Sequence, residues 1–130
     1  MPVTAFYAAL LVPLLIVLSA RVIAMRRQSQ ITVGHGDNPD LLRRMRVQAN
    51  FAEYAPMGLI LLGLAESTGV DVRLIHIAGA ALVLGRLLHA YGFSQARETL
   101  TWRIGGMVFT LSALAGLAAL CLWGAASRLL

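Results

Sequence analysis

Arg46, Asn50 and Glu53 stand within eight consecutive residues that contain no turn signal. On a helix, at 100° per residue, they fall within about 60° of one another, and Arg43 and Met57 extend the same stripe. A guanidinium forks onto carboxylates, a carboxylate holds an ammonium, and an amide side chain both donates and accepts. Two readings of these residues stay open. One is an ion pair, Arg46 to Glu53 or Glu53 to Arg86, that only pins helices together. The other is a site for a small molecule that carries both carboxylate and amine groups.

The chain around this stripe is built for lipid. Hydrophobic residues fill 58% of its 130 positions and charged residues 13%, against about 45–50% and about 25% in a soluble domain. Four spans of roughly 20 residues with short connections use nearly all of it. The expectation is a single all-α membrane domain, residues 1–130, with four transmembrane helices at about 3–27, 39–67, 72–93 and 101–127. The net charge of +5 comes from eleven basic residues against six acids, and every basic residue is arginine. Nucleic acid is excluded as a partner, because the arginines sit at the ends of apolar runs without an interleaved aromatic platform.

The first apolar run is followed, not preceded, by its charges Arg21, Arg26 and Arg27, which is the wrong order for a signal peptide. Asp37 or Asn38 with Pro39 reads as the start of the second helix, and Gly69 as its terminator. Counting back about 20 residues from Ala65 brings the embedded part of that helix to Arg46, so the stripe lies in or at the edge of the membrane. A charge at mid-bilayer costs about 2.5–3.5 kcal/mol on insertion scales, so each must face a partner or a wet cavity. Ser112, Ala115, Gly116 and Ala119 suit close helix contact on the fourth helix. Arg26, Arg27, Arg43, Arg44, Arg46, Arg97 and Arg103 flank the loops after the first and third helices, while Arg73 and Arg128 lie on the other side. The positive-inside rule then puts both termini outside the cytoplasm, in a bacterial inner membrane.

At Arg46-Val47-Gln48-Ala49-Asn50-Phe51-Ala52-Glu53-Tyr54-Ala55-Pro56 the chain resembles the R-x-x-x-N-x-x-E-x-x-P signature of the MAPEG family, the membrane-associated proteins in eicosanoid and glutathione metabolism. The resemblance runs over essentially the whole chain. Val22 to Arg27 is similar to the Arg-Arg end of the first helix in the leukotriene-forming synthases, and Gly85-Arg86-x-x-His89 to the third helix of the prostaglandin E synthase. His89-Ala90-Tyr91-Gly92-Phe93 brings it nearest to a short bacterial branch. The resemblance implies a homotrimer of four-helix protomers that binds glutathione as co-substrate between subunits, in the cytoplasmic half of the membrane. It makes Arg46, Asn50, Glu53 and Tyr54 glutathione contacts, with Arg26, Arg27, Arg86 and His89 as additions. Two tyrosines of the leukotriene-forming synthase are replaced by His89 and Phe93. The thiol-activating arginine before the fourth helix has Arg103 as its nearest counterpart and Arg97 as the alternative.

The chemistry asked of that arginine is definite. A free thiol titrates near 8.5, only its thiolate is a good nucleophile, and an adjacent guanidinium lowers the pKa. Each unit of lowering reflects about 1.36 kcal/mol of preferential thiolate stabilisation. Membrane lipid would deliver a lipophilic second substrate. The implied activity is a glutathione-dependent membrane transferase or peroxidase for small lipophilic electrophiles; the alternative is a non-catalytic scaffold that binds a lipid or hydrophobic ligand. His35 reads as a solvated turn residue, His76 as a structural hydrogen-bonding group, and Cys121 as a small hydrophobe. Tyr7, Tyr91, Trp102 and Trp123 read as interfacial anchors. No spacing suits a metal site, a phosphate loop or a serine-type triad.

Overall fold

The computed structural model describes residues 1–95 and 100–129. Every regular element among them is helical: α1 (Pro2–Ser29), α2 (Pro39–Ser67), α3 (Val72–Ser94) and α4 (Leu100–Leu129). Local chemistry sets the ends. Asn38 Oδ1 accepts from the backbone N–H of Asp40 and of Leu41, both at 3.0 Å, and Pro39 occupies the first position of α2, where no donor is needed. Gly69 turns the chain out of α2 at φ +77°, a conformation that costs a side chain its Cβ clearance. Asp71 caps α3 by accepting from Arg73 N at 2.8 Å.

The start of α1 is capped from another helix. Its preceding residue, Met1, offers no side-chain cap, and Glu66 near the end of α2 accepts instead from Val3 N at 3.0 Å, Thr4 N at 2.8 Å and Thr4 Oγ1 at 2.6 Å. Glu66 lies just beyond the embedded stretch of α2. Partial burial alone would raise its pKa, but the hydrogen bonds from Thr4 and Val3 outweigh that and hold the carboxyl below its ordinary value of 4.5.

Three helices, α1, α3 and α4, are long and apolar enough to cross a membrane. The 29 residues of α2 reach about 43 Å, but its polar stripe keeps it from the same apolarity. α2 touches all three other helices, α3 and α4 form the closest pair, and α1 rests on α2 and α3 without meeting α4. Glycines set the α3–α4 distance: a Cβ on Gly85 would lie 2.6 Å from Thr110 Oγ1 and 2.9 Å from the Gly106 carbonyl, and one on Gly106 would collide with the backbone of His89. Around this crossing, apolar side chains fill two clusters, one around Leu18, Val47, Phe51 and Leu82, the other around Leu62, Ile75 and Leu117.

Two expectations are corrected here. Ser112, Ala115, Gly116 and Ala119 do not make the close contact of α4. They are not buried within the protomer, and the buried face is Gly106, Thr110, Ala113, Leu117 and Gly124, because that is the face the glycines of α3 admit. Tyr7 is not an interfacial anchor. It is 7% exposed, packs where Gly79 leaves room, donates to the His76 carbonyl at 3.0 Å and lies 3.1 Å from His76 Nδ1. That contact gives His76 its structural role. Tyr91, Trp102 and Trp123 remain exposed.

Candidate functional site

Arg86 sits in the middle of the bundle at 0% exposure. Its helix carries it there because Gly85 brings α3 against α4, so the guanidinium stays within the bundle and does not reach lipid. Nη2 donates to Asn50 Oδ1 on α2 at 2.5 Å and Nη1 to Thr110 Oγ1 on α4 at 3.3 Å, with Met107 Sδ a weaker acceptor at 3.8 Å. The Tyr54 ring lies beside it, 5.6 Å from Cζ to centroid. Nε has no partner among the described residues. Among the described residues all the hydrogen-bond acceptors around this cation are neutral, and no carboxylate pairs with it.

From Arg86 a chain of contacts runs toward the basic end of the bundle. Its Nη2 is 3.4 Å from His89 Nδ1, and since a guanidinium only donates, Nδ1 is the acceptor in that contact. His89 meets Phe93 edge to face, with ring centroids 5.6 Å apart. The Arg103 guanidinium, in the first turns of α4, covers the Phe93 ring at 4.0 Å. Asn50, Tyr54, Arg86, His89 and Arg103 therefore form one connected band across α2, α3 and α4.

Arg46 and Glu53 lie apart from this band. Both are exposed on the outer face of α2, and neither has a partner among the described residues. Neither expected ion pair exists within the protomer: the one salt bridge among the described residues joins Arg43 to Asp40 at 3.4 Å. The reason is rotational. Asn50 lies about 40° around the helix from Arg46 and about 60° from Glu53, enough to face α3 while the two charges face away.

The sequence pattern of the MAPEG family matches residues 4–123. The chain belongs to the MAPEG family. It is 35% identical over 121 residues to "Inner membrane protein YecN" of Escherichia coli strain K12, an alignment covering 93% of this chain and 91% of the relative. The protein of the same name from Escherichia coli O6:H1 strain CFT073 matches to the same extent. The spanning helices and this relative support a bacterial inner-membrane location for the MAPEG chain.

Other residues of the MAPEG resemblance are placed elsewhere. Arg26 turns back onto its own loop, donating to the carbonyls of Ile31, Thr32 and Gly34 at 3.4, 3.2 and 3.0 Å. Arg27 is exposed. Arg97 lies outside the described residues. Thr110 and Met107 join the site without having been singled out in the sequence. Thr110 carried one signal, a hydroxyl at helical spacing from Arg103 and Gly106 within an apolar run.

Proposed function

We propose that this MAPEG protein is a glutathione-dependent membrane transferase or peroxidase acting on small lipophilic electrophiles. The observation that carries the reading is the bare pair Arg46 and Glu53. They are two helical turns apart, about 10.5 Å along the axis, without a partner among the described residues, and exposed on α2, which this reading takes across the membrane. Opposite charges at that separation suit a tripeptide with an ammonium and two carboxylates. They cannot face hydrocarbon, so a second copy of the chain covers them, in a homotrimer with the ligand between copies. Asn50 links this outer face to the buried cation Arg86.

In this reading Arg46 takes a carboxylate, Glu53 takes the ammonium, and Arg103 stands near the sulfur. The thiol gives its proton to water, and the thiolate, favoured by the guanidinium, forms a carbon–sulfur bond as the leaving group departs with its bonding pair, or as the π pair of an activated double bond shifts away and takes up a proton from water. With a hydroperoxide, two glutathiones are oxidised to the disulfide while the peroxide is reduced to alcohol and water. His89 and Phe93 hold Arg103 in place through the ring contacts. The basic loops face the cytoplasm and both termini the opposite side.

The test is glutathione binding to the purified protein, followed by thiolate absorbance for wild type and Arg103→Ala. Arg103→Ala is expected to bind glutathione but form no thiolate. Binding without thiolate in the wild type would favour the non-catalytic scaffold, and absence of binding would reject the site.

A further inference from the structure

A polar cavity lies at the basic end of the bundle, between α1, α2 and α3 of a single protomer. It measures about 220 Å³ and is lined by Arg21, Arg43, Arg44, Asp40, Val47 and Ser94. Three guanidinium groups against one carboxylate leave a local charge of +2. Asp40 is already engaged by Arg43. Arg21 donates through Nη1 to Ser94 Oγ at 2.8 Å, and Arg44 through Nη1 to the Arg21 carbonyl at 3.1 Å. The remaining nitrogens of Arg21 and Arg44 make no hydrogen bond among the described residues. The cavity shares only Arg43 with the stripe described above: Arg46 and Glu53 face out of the protomer, while Val47 is 2% exposed and faces in.

Arg21 and Ser94 also line a second space, an open groove of about 470 Å³ between α1 and α3. Its other walls include Leu14, Val17, Leu18, Leu87, Ala90 and Tyr91. The groove lies along the seam between α1 and α3, where α1 packs on α2 and α3 without reaching α4. It runs from Arg21 to Leu14, about 10.5 Å deeper along the helix. A cationic pocket at the helix ends thus adjoins an apolar groove along the helices, with the hydrogen-bonded pair Arg21 and Ser94 as their shared wall.

We propose that these two spaces together bind an anionic phospholipid, with the phosphate on Arg21, Arg43 and Arg44 and one acyl chain along Leu14, Leu18 and Leu87. Charge complementarity selects the headgroup: guanidinium forks match phosphate oxygens, and basic pockets between transmembrane helices suit acidic lipid heads. The apolar continuation selects a lipid over a free phosphate ion, whose shared chemistry would satisfy the arginines alone. The site stands whether or not the neighbouring one takes glutathione.

The experiment titrates the full-length protein in detergent with phosphatidylglycerol, phosphatidylcholine and inorganic phosphate, and counts bound molecules by native mass spectrometry. Saturable phosphatidylglycerol binding is expected, at least tenfold tighter than phosphatidylcholine. Arg21→Gln and Arg44→Gln each weaken it about fivefold, while Arg128→Gln, on an exposed arginine at the opposite end, leaves it unchanged. Leu87→Trp, which fills the groove, weakens phosphatidylglycerol but not phosphate. Equal affinity for the two lipids overturns the proposal, as does a loss in Arg128→Gln matching that in Arg21→Gln. If phosphate displaces phosphatidylglycerol and Leu87→Trp changes neither, the pocket holds a free anion and the lipid is rejected. Should Arg21→Gln fail to fold, the wild-type lipid comparison and Leu87→Trp still decide.

Discussion

Replacing Arg86 by methionine is expected to leave the ligand-free protein about as stable as the wild type, whereas replacing its partner Asn50 by leucine destabilises it. The contrast follows from an ion buried among neutral groups. Removing a carboxylate- or guanidinium-sized charge from water costs several kcal/mol, and each hydrogen bond to a charged group offsets about 1.5–3 kcal/mol. Arg86→Met deletes both terms together. It strands no strong partner: Thr110 Oγ1 keeps its bond to the Gly106 carbonyl at 2.8 Å, Asn50 is only half-buried, and the one buried acceptor left behind, His89 Nδ1, loses a contact that was long, at 3.4 Å. The net change should lie within about 1 kcal/mol of zero. Asn50→Leu keeps the ion and removes its shortest acceptor, adding an unsatisfied donor to the orphan Nε, so it should cost about 1.5–3 kcal/mol. The double variant should behave like Arg86→Met alone, giving a coupling energy of about 1.5–3 kcal/mol. Unfolding by sodium dodecyl sulfate in mixed micelles, followed by circular dichroism, measures all four proteins. A loss above about 3 kcal/mol in Arg86→Met with none in Asn50→Leu would refute the reasoning, because breaking a buried ion pair has that signature.

Three shorter predictions probe other parts of the molecule. Gly106→Ala puts a methyl group against the backbone of His89 and Gly85 and should destabilise by about 1–3 kcal/mol, while Gly105→Ala, with open space around it, should be neutral in the same unfolding assay. Because the Glu66 carboxyl is held below 4.5, its contribution is fully present above that pH and is lost as the pH falls through the lowered value; amide exchange at Val3 and Thr4 should rise in acid for the wild type and be pH-insensitive in this respect in Glu66→Gln. Reporter fusions to the C-terminus should be active outside the cytoplasm, and a cytoplasmic signal would reverse the proposed placement of the glutathione site.

The all-helical architecture, the helix ends at Pro39 and Ser67, the polar stripe of α2 and the family itself were legible in the sequence. Each rests on information within a few residues: apolar run length, an Asn-Pro start, a glycine at positive φ, or i, i+4, i+7 spacing. The sequence also singled out Arg86 and Asn50, yet not their contact, which joins residues 36 positions apart. Only the tertiary structure decided that Asn50 turns inward while Arg46 and Glu53 turn outward, that Arg26 is spent on its own loop, and that Thr110 completes the site. It likewise chose which small-residue face of α4 packs. The physical reason lies in the close approach at Gly85 and Gly106, since the rotation of one helix against another is fixed by backbone contact between distant residues, and no local pattern encodes it.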